Sequence, residues 1–311
     1  MTKAPPKAPP TAPPTAPPTA PAAVSAKVGR ITLQAGGITV SALLARPLYA
    51  PPRATVVALH GAGMSAAYFH GQTRPETSLL TLAADLGFAA VAVDRPGYGL
   101  SSAELPRGQT AAEQAATLTA ALGDLADRYD TGAGLFLLAH SFGGKPALRM
   151  AAEGTLPALL GVDVSGCGDA YTAPPTEPGT RDGGWRRSWG PLRLYPPGTF
   201  RSGAAVVARV PPGELADAAR WPAEFGRLAG RIRVPVRFTF AEYETWWRHD
   251  PPALDRLRSR LSAAPRVVIE HQPDAGHNIS LGWAARAYHL KALGFLEESM
   301  RHHGVGRESR T

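Results

Sequence analysis

The sequence predicts an α/β fold built on a mostly parallel sheet with helices on both faces. Three observations predict it. Short, continuous apolar runs recur along the 311-residue chain and alternate with helix-like segments, the pattern of strands buried on both faces. Two strand-like runs at the front are joined by Gly36-Gly37, a hairpin signal that places an antiparallel pair at one edge. One interval, 165–233, breaks the rhythm. It is far longer than an ordinary connection of ~2–6 residues and reads as an inserted cap.

Taken in order, residues 4–21 repeat a TAPP-like unit, whole at 11–14 and again at 15–18. Such a segment has little to bury and reads as an extended, solvated tail, with a ligand for a proline-binding module as the alternative. The expected organisation is a Pro-rich disordered tail over 1–27, a folded domain over 28–299 and a flexible tail over 300–311. The strand runs at 28–34 and 38–45 form the hairpin. The run at 55–59 ends in His60-Gly61-Ala62-Gly63. A helix over 78–86 is stopped by Gly87, and 88–93 is the next strand. Thr110 and Glu113 form a capping-box pair that opens a helix with Leu118, Leu122, Leu125 and Tyr129 on one face. The run at 134–138 leads through Ala139-His140-Ser141-Phe142-Gly143-Gly144 into a helix ending at Gly154. Strand runs at 159–164, 234–240 and 266–270 follow, with a polar helix over 252–261 between the last two. A helix over 283–298 closes the domain.

Hydrophobic residues make up 44% of the chain and charged residues 19%, which is enough apolar material for a core. One cysteine, Cys167, excludes a disulfide framework and a cysteine-based metal centre and reads as a small buried thiol. The net charge of +8 invites a nucleic-acid reading. The excess, however, sits in 1–27, 169–233 and 301–311, while 28–168 and 234–300 are near balance, which is not the pattern of a basic groove. No nucleic-acid partner is expected. No run approaches the ~20 apolar residues of a membrane span. The basic start Met1-Thr2-Lys3 meets prolines rather than an apolar stretch, so no secretory signal is expected and a cytoplasmic location is.

Ser141 lies directly between an apolar run and a helix. Its neighbours two residues either side are Ala139 and Gly143, small residues that a sharp strand-to-helix turn requires. The helix that starts there offers free N–H groups and positive potential. Read alone, Ser141 is equally a polar helix cap. In context, Ala139-His140-Ser141-Phe142-Gly143 resembles the nucleophile elbow of the α/β-hydrolase family, with Ala where the family commonly has Gly. His60-Gly61-Ala62-Gly63 resembles the family's H-G-x-G loop. That resemblance implies an oxyanion hole formed by the N–H groups of Ala62 and Phe142; the bland reading is a plain βα turn. His277, after the last strand run and before the last helix, occupies the place where the family keeps its catalytic histidine. The family carries its acid in the loop after the preceding strand, often as G-x-x-D, and counting from Ala241 gives Glu244. Glu242 and Asp169 are the alternative acids. The order Ser141, Glu244, His277 is the family's order. Asp94-Arg95-Pro96-Gly97-Tyr98-Gly99 also matches a family turn and reads as structural, with Arg95 pairing locally. The resemblance covers about 28–299 apart from the cap, which it places between the sixth and seventh family strands.

The resemblance implies a serine hydrolase that cleaves a carboxylic ester or thioester through an acyl-enzyme, without metal or organic cofactor. A serine at the nucleophile position disfavours the family's epoxide hydrolases and dehalogenases, which use a carboxylate. The expected partner is a small-molecule ester or thioester, free or linked to an acyl carrier or CoA. Two further readings share these motifs: an acyltransferase, cyclase or carrier-linked thioesterase of secondary metabolism, and a non-catalytic binding module on the same fold. Trp185, Trp189, Tyr195, Phe200, Trp221 and Phe225 in the cap suit either an apolar acyl pocket or the cap's own small core. Trp246 and Trp247, just past Glu244, are placed to line the site. The cap's arginines, among them Arg181, Arg187, Arg193 and Arg209, read either as attraction for an anionic partner or as a solvated surface.

Overall fold

The positive φ angles of Gly36 and Gly37, 60° and 93°, turn the chain between β1 (Gly29–Ala35) and β2 (Ile38–Ala45), which pair antiparallel from Ala35 opposite Ile38. In this computed structural model, which describes residues 26–71, 73–176 and 184–308, six further strands follow. They are β3 (Thr55–Leu59), β4 (Ala89–Val93), β5 (Leu135–His140), β6 (Leu159–Ser165), β7 (Val236–Tyr243) and β8 (Val267–Gly276). The eight form one sheet in the order β1-β2-β4-β3-β5-β6-β7-β8. The hairpin lies at one edge, β2 runs antiparallel to β4, and every pair from β4 to β8 is parallel.

Parallel neighbours need helical crossovers. The helices are α1 (Leu79–Asp85), α2 (Ala111–Arg128), α3 (Gly144–Glu153), α4 (Gly184–Trp189), α5 (Pro212–Ala218), α6 (Trp221–Leu228), α7 (Pro251–Arg260) and α8 (Ala285–Glu308). The capping box at Thr110 and Glu113 closes both ways, with the Thr110 N–H donating to Glu113 at 2.8 Å. Alternation along the strands divides the core in two. Val57, Leu59, Val91 and Val93 face Leu118 and Leu122 of α2, Leu148 of α3 and Leu257 of α7. Val56, Ala58, Ala90 and Ala92 face Leu80 of α1 and Leu293 and Leu296 of α8. The sheet is thus covered on both faces. Among the described residues, no helix is long and apolar enough to cross a membrane.

The structure departs from the sequence expectations in three places. β8 extends to Gly276 instead of ending at 270, because a register shift after Ala241 lets Tyr243 pair with Gly276. The last helix, expected to end at 298, continues to Glu308. Ser299 in it is buried and donates its hydroxyl to the Phe295 carbonyl at 2.8 Å. Within 165–233, α6 packs Trp221, Phe225 and Leu228 into the core beneath the sheet and so acts as the β6–β7 crossover. The part inserted over the sheet edge precedes it. The TAPP-like tail and Arg181 lie outside the described residues.

An ion pair is buried between two strands. Asp163 of β6 stands in register with Arg237 of β7, and both are almost wholly out of solvent. Burial pushes the Asp163 carboxyl up, and the guanidinium beside it opposes that shift. The Tyr288 hydroxyl donates to Asp163 at 3.0 Å, and Arg237 reaches Glu270 at 3.0 Å. Removing one member leaves the other charge stranded in an apolar layer. Arg237→Met is therefore expected to lower stability by about 3–5 kcal/mol, measured as the shift in urea unfolding.

Candidate active site

β5 runs directly into a tight 3-10 turn, Ser141–Gly143, and then into α3. Ser141 has φ of 51°, a left-handed conformation uncommon outside glycine. The turn leaves no space for side chains around it. A Cβ on Gly143 would lie 2.5 Å from the Leu59 carbonyl oxygen and 2.6 Å from that of His60. A Cβ on Gly61 would lie 3.0 Å from the Cβ of Ser141. Small residues thus let the loop after β3 pass directly beside Ser141, which the strain lifts over the carboxyl edge of the sheet.

His277 follows the last residue of β8 and Glu244 follows the last residue of β7. His277 Nε2 lies 3.0 Å from Ser141 Oγ, and Nδ1 lies 2.7 Å from Glu244 Oε2. The second Glu244 oxygen accepts the Trp246 N–H at 2.8 Å. Both His277 and Glu244 are buried. The alternative acids point elsewhere. Glu242 is exposed and accepts the Asp274 N–H at 2.8 Å, because it falls on the opposite side of β7 from Ala241. Asp169 is held by Arg256 of α7 at 2.8 and 3.0 Å.

The loop carrying Ala62 is fixed from below. Arg95 Nε donates to the His60 carbonyl at 2.6 Å, the Arg95 N–H donates to His60 Nε2 at 3.0 Å, and the Gly63 N–H donates to the Tyr98 hydroxyl at 3.1 Å. Contrary to the local pairing expected of it, Arg95 forms two hydrogen bonds, at 2.7 and 2.9 Å, to Glu214 on α5. The Tyr98 hydroxyl donates to the same carboxylate at 2.8 Å. The Phe142 ring is approached by two cations, with Arg95 5.0 Å and Lys145 Nζ 4.3 Å from its centroid. Ala62 and Phe142, the residues of the expected oxyanion hole, both border the cavity that opens over Ser141.

That cavity measures about 160 Å³, and its other walls include Trp189, Trp246, Trp247 and His277. Of the six cap aromatics, Trp189 alone lines it. Trp185, Trp189, Tyr195 and Phe200 pack on one another, while Trp221 and Phe225 belong to the sheet core. Trp185 and Phe200 stay partly exposed, Trp189 and Tyr195 join the core on one face of the sheet, and the two tryptophans after Glu244 supply much of the apolar wall. Cys167 is buried, and burial pushes its thiol up to about 12.

Two features were not anticipated from sequence. His140 lies under His277, 4.8 Å between ring centroids, and stacks on Tyr68. Burial, then the neighbouring His277, keeps it neutral. Lys145 borders the cavity with its amine on the Tyr171 hydroxyl at 2.9 Å, and burial lowers it to about 8. Its place in the first turn of the helix that follows Ser141 was the available signal.

A family model described as the alpha/beta hydrolase family matches residues 56–288. No curated protein matches the chain in sequence. Among solved structures, a candidate lipase from Acinetobacter baumannii AYE superimposes with TM-score 0.65 at 16% identity, covering 88% of this chain and 93% of its own. A monoacylglycerol lipase from Paleococcus ferrophilus gives 0.58 at 19% identity, covering 89% and 99%. A thioesterase domain from the curacin biosynthetic pathway gives 0.56 at 16% identity, covering 86% and 99%. At such identities these likenesses establish the shared fold.

Two measurements test the energetics of the site. Ser141→Gly relieves the left-handed strain that Ser141→Ala retains. The glycine variant is expected to be more stable by about 1 kcal/mol in urea unfolding. The second concerns pH. His60, His140 and His289 are fully buried, and burial holds each below the ordinary histidine value, His289 at about 3. Below pH ~6.5 the unfolded chain therefore binds protons that the folded chain refuses. Stability is complete above that pH and falls as pH drops below it, by up to about 1.4 kcal/mol per pH unit for each histidine. Urea midpoints at pH 7.5 and 5.5 check the sign.

Proposed function

The chain belongs to the alpha/beta hydrolase family, and from that premise we propose that it is a serine hydrolase cleaving a carboxylic ester or thioester through an acyl-enzyme on Ser141. The observation that carries this reading is the unbroken line from Ser141 through His277 to Glu244, at 3.0 and 2.7 Å.

In the proposed reaction, Ser141 Oγ attacks the carbonyl carbon and His277 Nε2 takes its proton. Glu244 holds the imidazole with Nδ1 protonated and stabilises the imidazolium that forms. The Trp246 N–H on its other oxygen keeps the carboxylate aligned. The N–H groups of Ala62 and Phe142 receive the tetrahedral oxyanion, a contribution of typically ~2.7–4 kcal/mol per donor. The imidazolium then gives its proton to the leaving alkoxide or thiolate as the tetrahedral species collapses. Water, deprotonated by His277, attacks the acyl-enzyme and releases the acid.

The apolar walls formed by Trp189, Trp246 and Trp247 suit a small acyl or aryl group. A carrier-bound acyl group gains no separate support. Arg193 donates to the Tyr243 hydroxyl at 2.7 Å and is engaged within the fold, and Arg187 lies 5.4 Å over the Trp246 ring.

Fluorophosphonate labelling read by intact mass, with p-nitrophenyl butyrate hydrolysis alongside, tests the assignment. Wild type is expected to take one label and turn over the ester, and Ser141→Ala to do neither. Ser141→Ala and His277→Ala should each lower kcat by roughly a million-fold, and Glu244→Gln by roughly ten-thousand-fold. Labelling that persists in Ser141→Ala, or full turnover by Glu244→Gln, overturns these roles.

A further inference from the structure

Lys145 takes no part in the reaction above, yet its position is costly. It sits one turn beyond Ser141 on α3, it is 2% exposed, and it borders the cavity. A buried ammonium is stable only with partners for its charge and its three N–H bonds. Its partners are neutral and few. Nζ donates to the Tyr171 hydroxyl at 2.9 Å and to the Ala218 carbonyl at a long 3.4 Å, while Tyr171 gives its own proton to the same carbonyl at 3.0 Å. The carboxylates that act on Lys145, Glu214 and Asp217, are committed elsewhere. Glu214 is bound by Arg95, Tyr98 and Gln114, and Asp217 accepts the Ala111 N–H at 2.8 Å. Beyond these two oxygens Nζ lies over the Phe142 ring, 4.3 Å from its centroid, a weaker partner than a carboxylate entering the cavity. The exposed Arg209 borders the same cavity and adds a second positive charge; the Glu214 carboxylate that also borders it is paired with Arg95, and Trp189, Trp246 and Trp247 offer an anion nothing.

We propose that Lys145 Nζ receives a carboxylate carried by the substrate, so that this protein acts on half-esters of short dicarboxylic acids and similar acidic esters ahead of neutral ones. The inference rests on the hydrolase reading and names its substrate class. The amine lies over the ring of Phe142, whose N–H is the proposed oxyanion donor. Ser141, Phe142 and Lys145 border one cavity of about 160 Å³, which limits the chain between the carboxylate and the reacting carbonyl to a few carbons. Charge-assisted hydrogen bonding in a desolvated site supplies the selectivity. The groups facing Lys145 are Tyr171, Cys167, Glu214, Asp217 and Arg95. Burial keeps the tyrosine and cysteine neutral well past pH 8. The amine itself loses its proton near 8, so the preference for acidic esters fades as pH rises through that value.

The test is a ratio of kcat/KM values. p-Nitrophenyl hemiglutarate against p-nitrophenyl butyrate places the carboxylate on the acyl side. 4-Carboxyphenyl butyrate against phenyl butyrate places it on the alcohol side. Lys145→Met is expected to lower the acidic-to-neutral ratio by about 10- to 100-fold in one of the two arms, and that arm identifies the side bound. In wild type the same ratio is expected to fall between pH 7 and 9.5, where both substrates keep their charge, and this readout stands even if the methionine variant does not fold. Neutral-ester turnover with ratios indifferent to pH and to Lys145→Met overturns the carboxylate site and leaves the hydrolase reading intact. Absence of all ester turnover and of fluorophosphonate labelling in wild type overturns the hydrolase reading and this substrate class with it.

Discussion

The salt bridge between Arg95 and Glu214 connects parts of the molecule that otherwise share only a boundary. Taking both charges out of water costs several kcal/mol per ion, and their attraction offsets this only when the remaining donors and lone pairs are also satisfied. In this pair four of the five guanidinium N–H bonds and both carboxylate oxygens have partners. The guanidinium serves the His60 carbonyl, Gln114 and both Glu214 oxygens, and the carboxylate also accepts Tyr98 and Gln114. The gain is placement more than stability. The Tyr98 hydroxyl that donates to Glu214 accepts the Gly63 N–H, so the position of α5 and the shape of the Gly61–Ala62–Gly63 loop are set together. Asp217, one turn further along α5 on the same face, caps the start of α2 through the Ala111 N–H. The inserted segment is thereby anchored at two points to the edge of the sheet that bears Ser141.

Ser141, Glu244 and His277 were legible in the sequence because each stands at the carboxyl end of a strand. A strand end is a local feature, marked by an apolar run and by the small residues a tight turn demands. The hairpin, the capping box at Thr110 and the order of the strands were legible for the same reason. The partner of Arg95 was not, since Glu214 lies 119 residues further on and nothing near either residue announces the other. Lys145 was passed over because a lysine in a helix ordinarily points to water, and only the cap makes this one buried. The aromatic residues of the cap could be read as a pocket or as a core, and composition does not separate those two uses. Packing does, by turning Trp185, Tyr195 and Phe200 onto one another and giving the cavity wall to Trp189, Trp246 and Trp247. The true extent of the insertion was hidden likewise, because α6 reads as an ordinary amphipathic helix whether it covers the sheet or stands above it.

The buried titratable groups follow the charges that the proposed reaction would develop beside them. His277 becomes an imidazolium in the transition state, and a second positive charge next to it would oppose that step. His140 is 4.8 Å away, close enough that its protonation would matter even at an effective dielectric of about 20. Its enclosure between Tyr68 and the Ser165 hydroxyl, 3.2 Å from Nδ1, keeps it neutral. On the other side of His277 stands Glu244, whose charge has the favourable sign. Lys145 lies instead against the Phe142 ring, on the cavity wall where the proposed substrate carboxylate would sit. A cation there is stabilising for that carboxylate. The same physical penalty, loss of hydration, thus has opposite uses at two neighbouring residues. It removes the charge from the imidazole that would compete with His277. It leaves the lysine amine charged near neutral pH but short of partners, and so receptive to an anion.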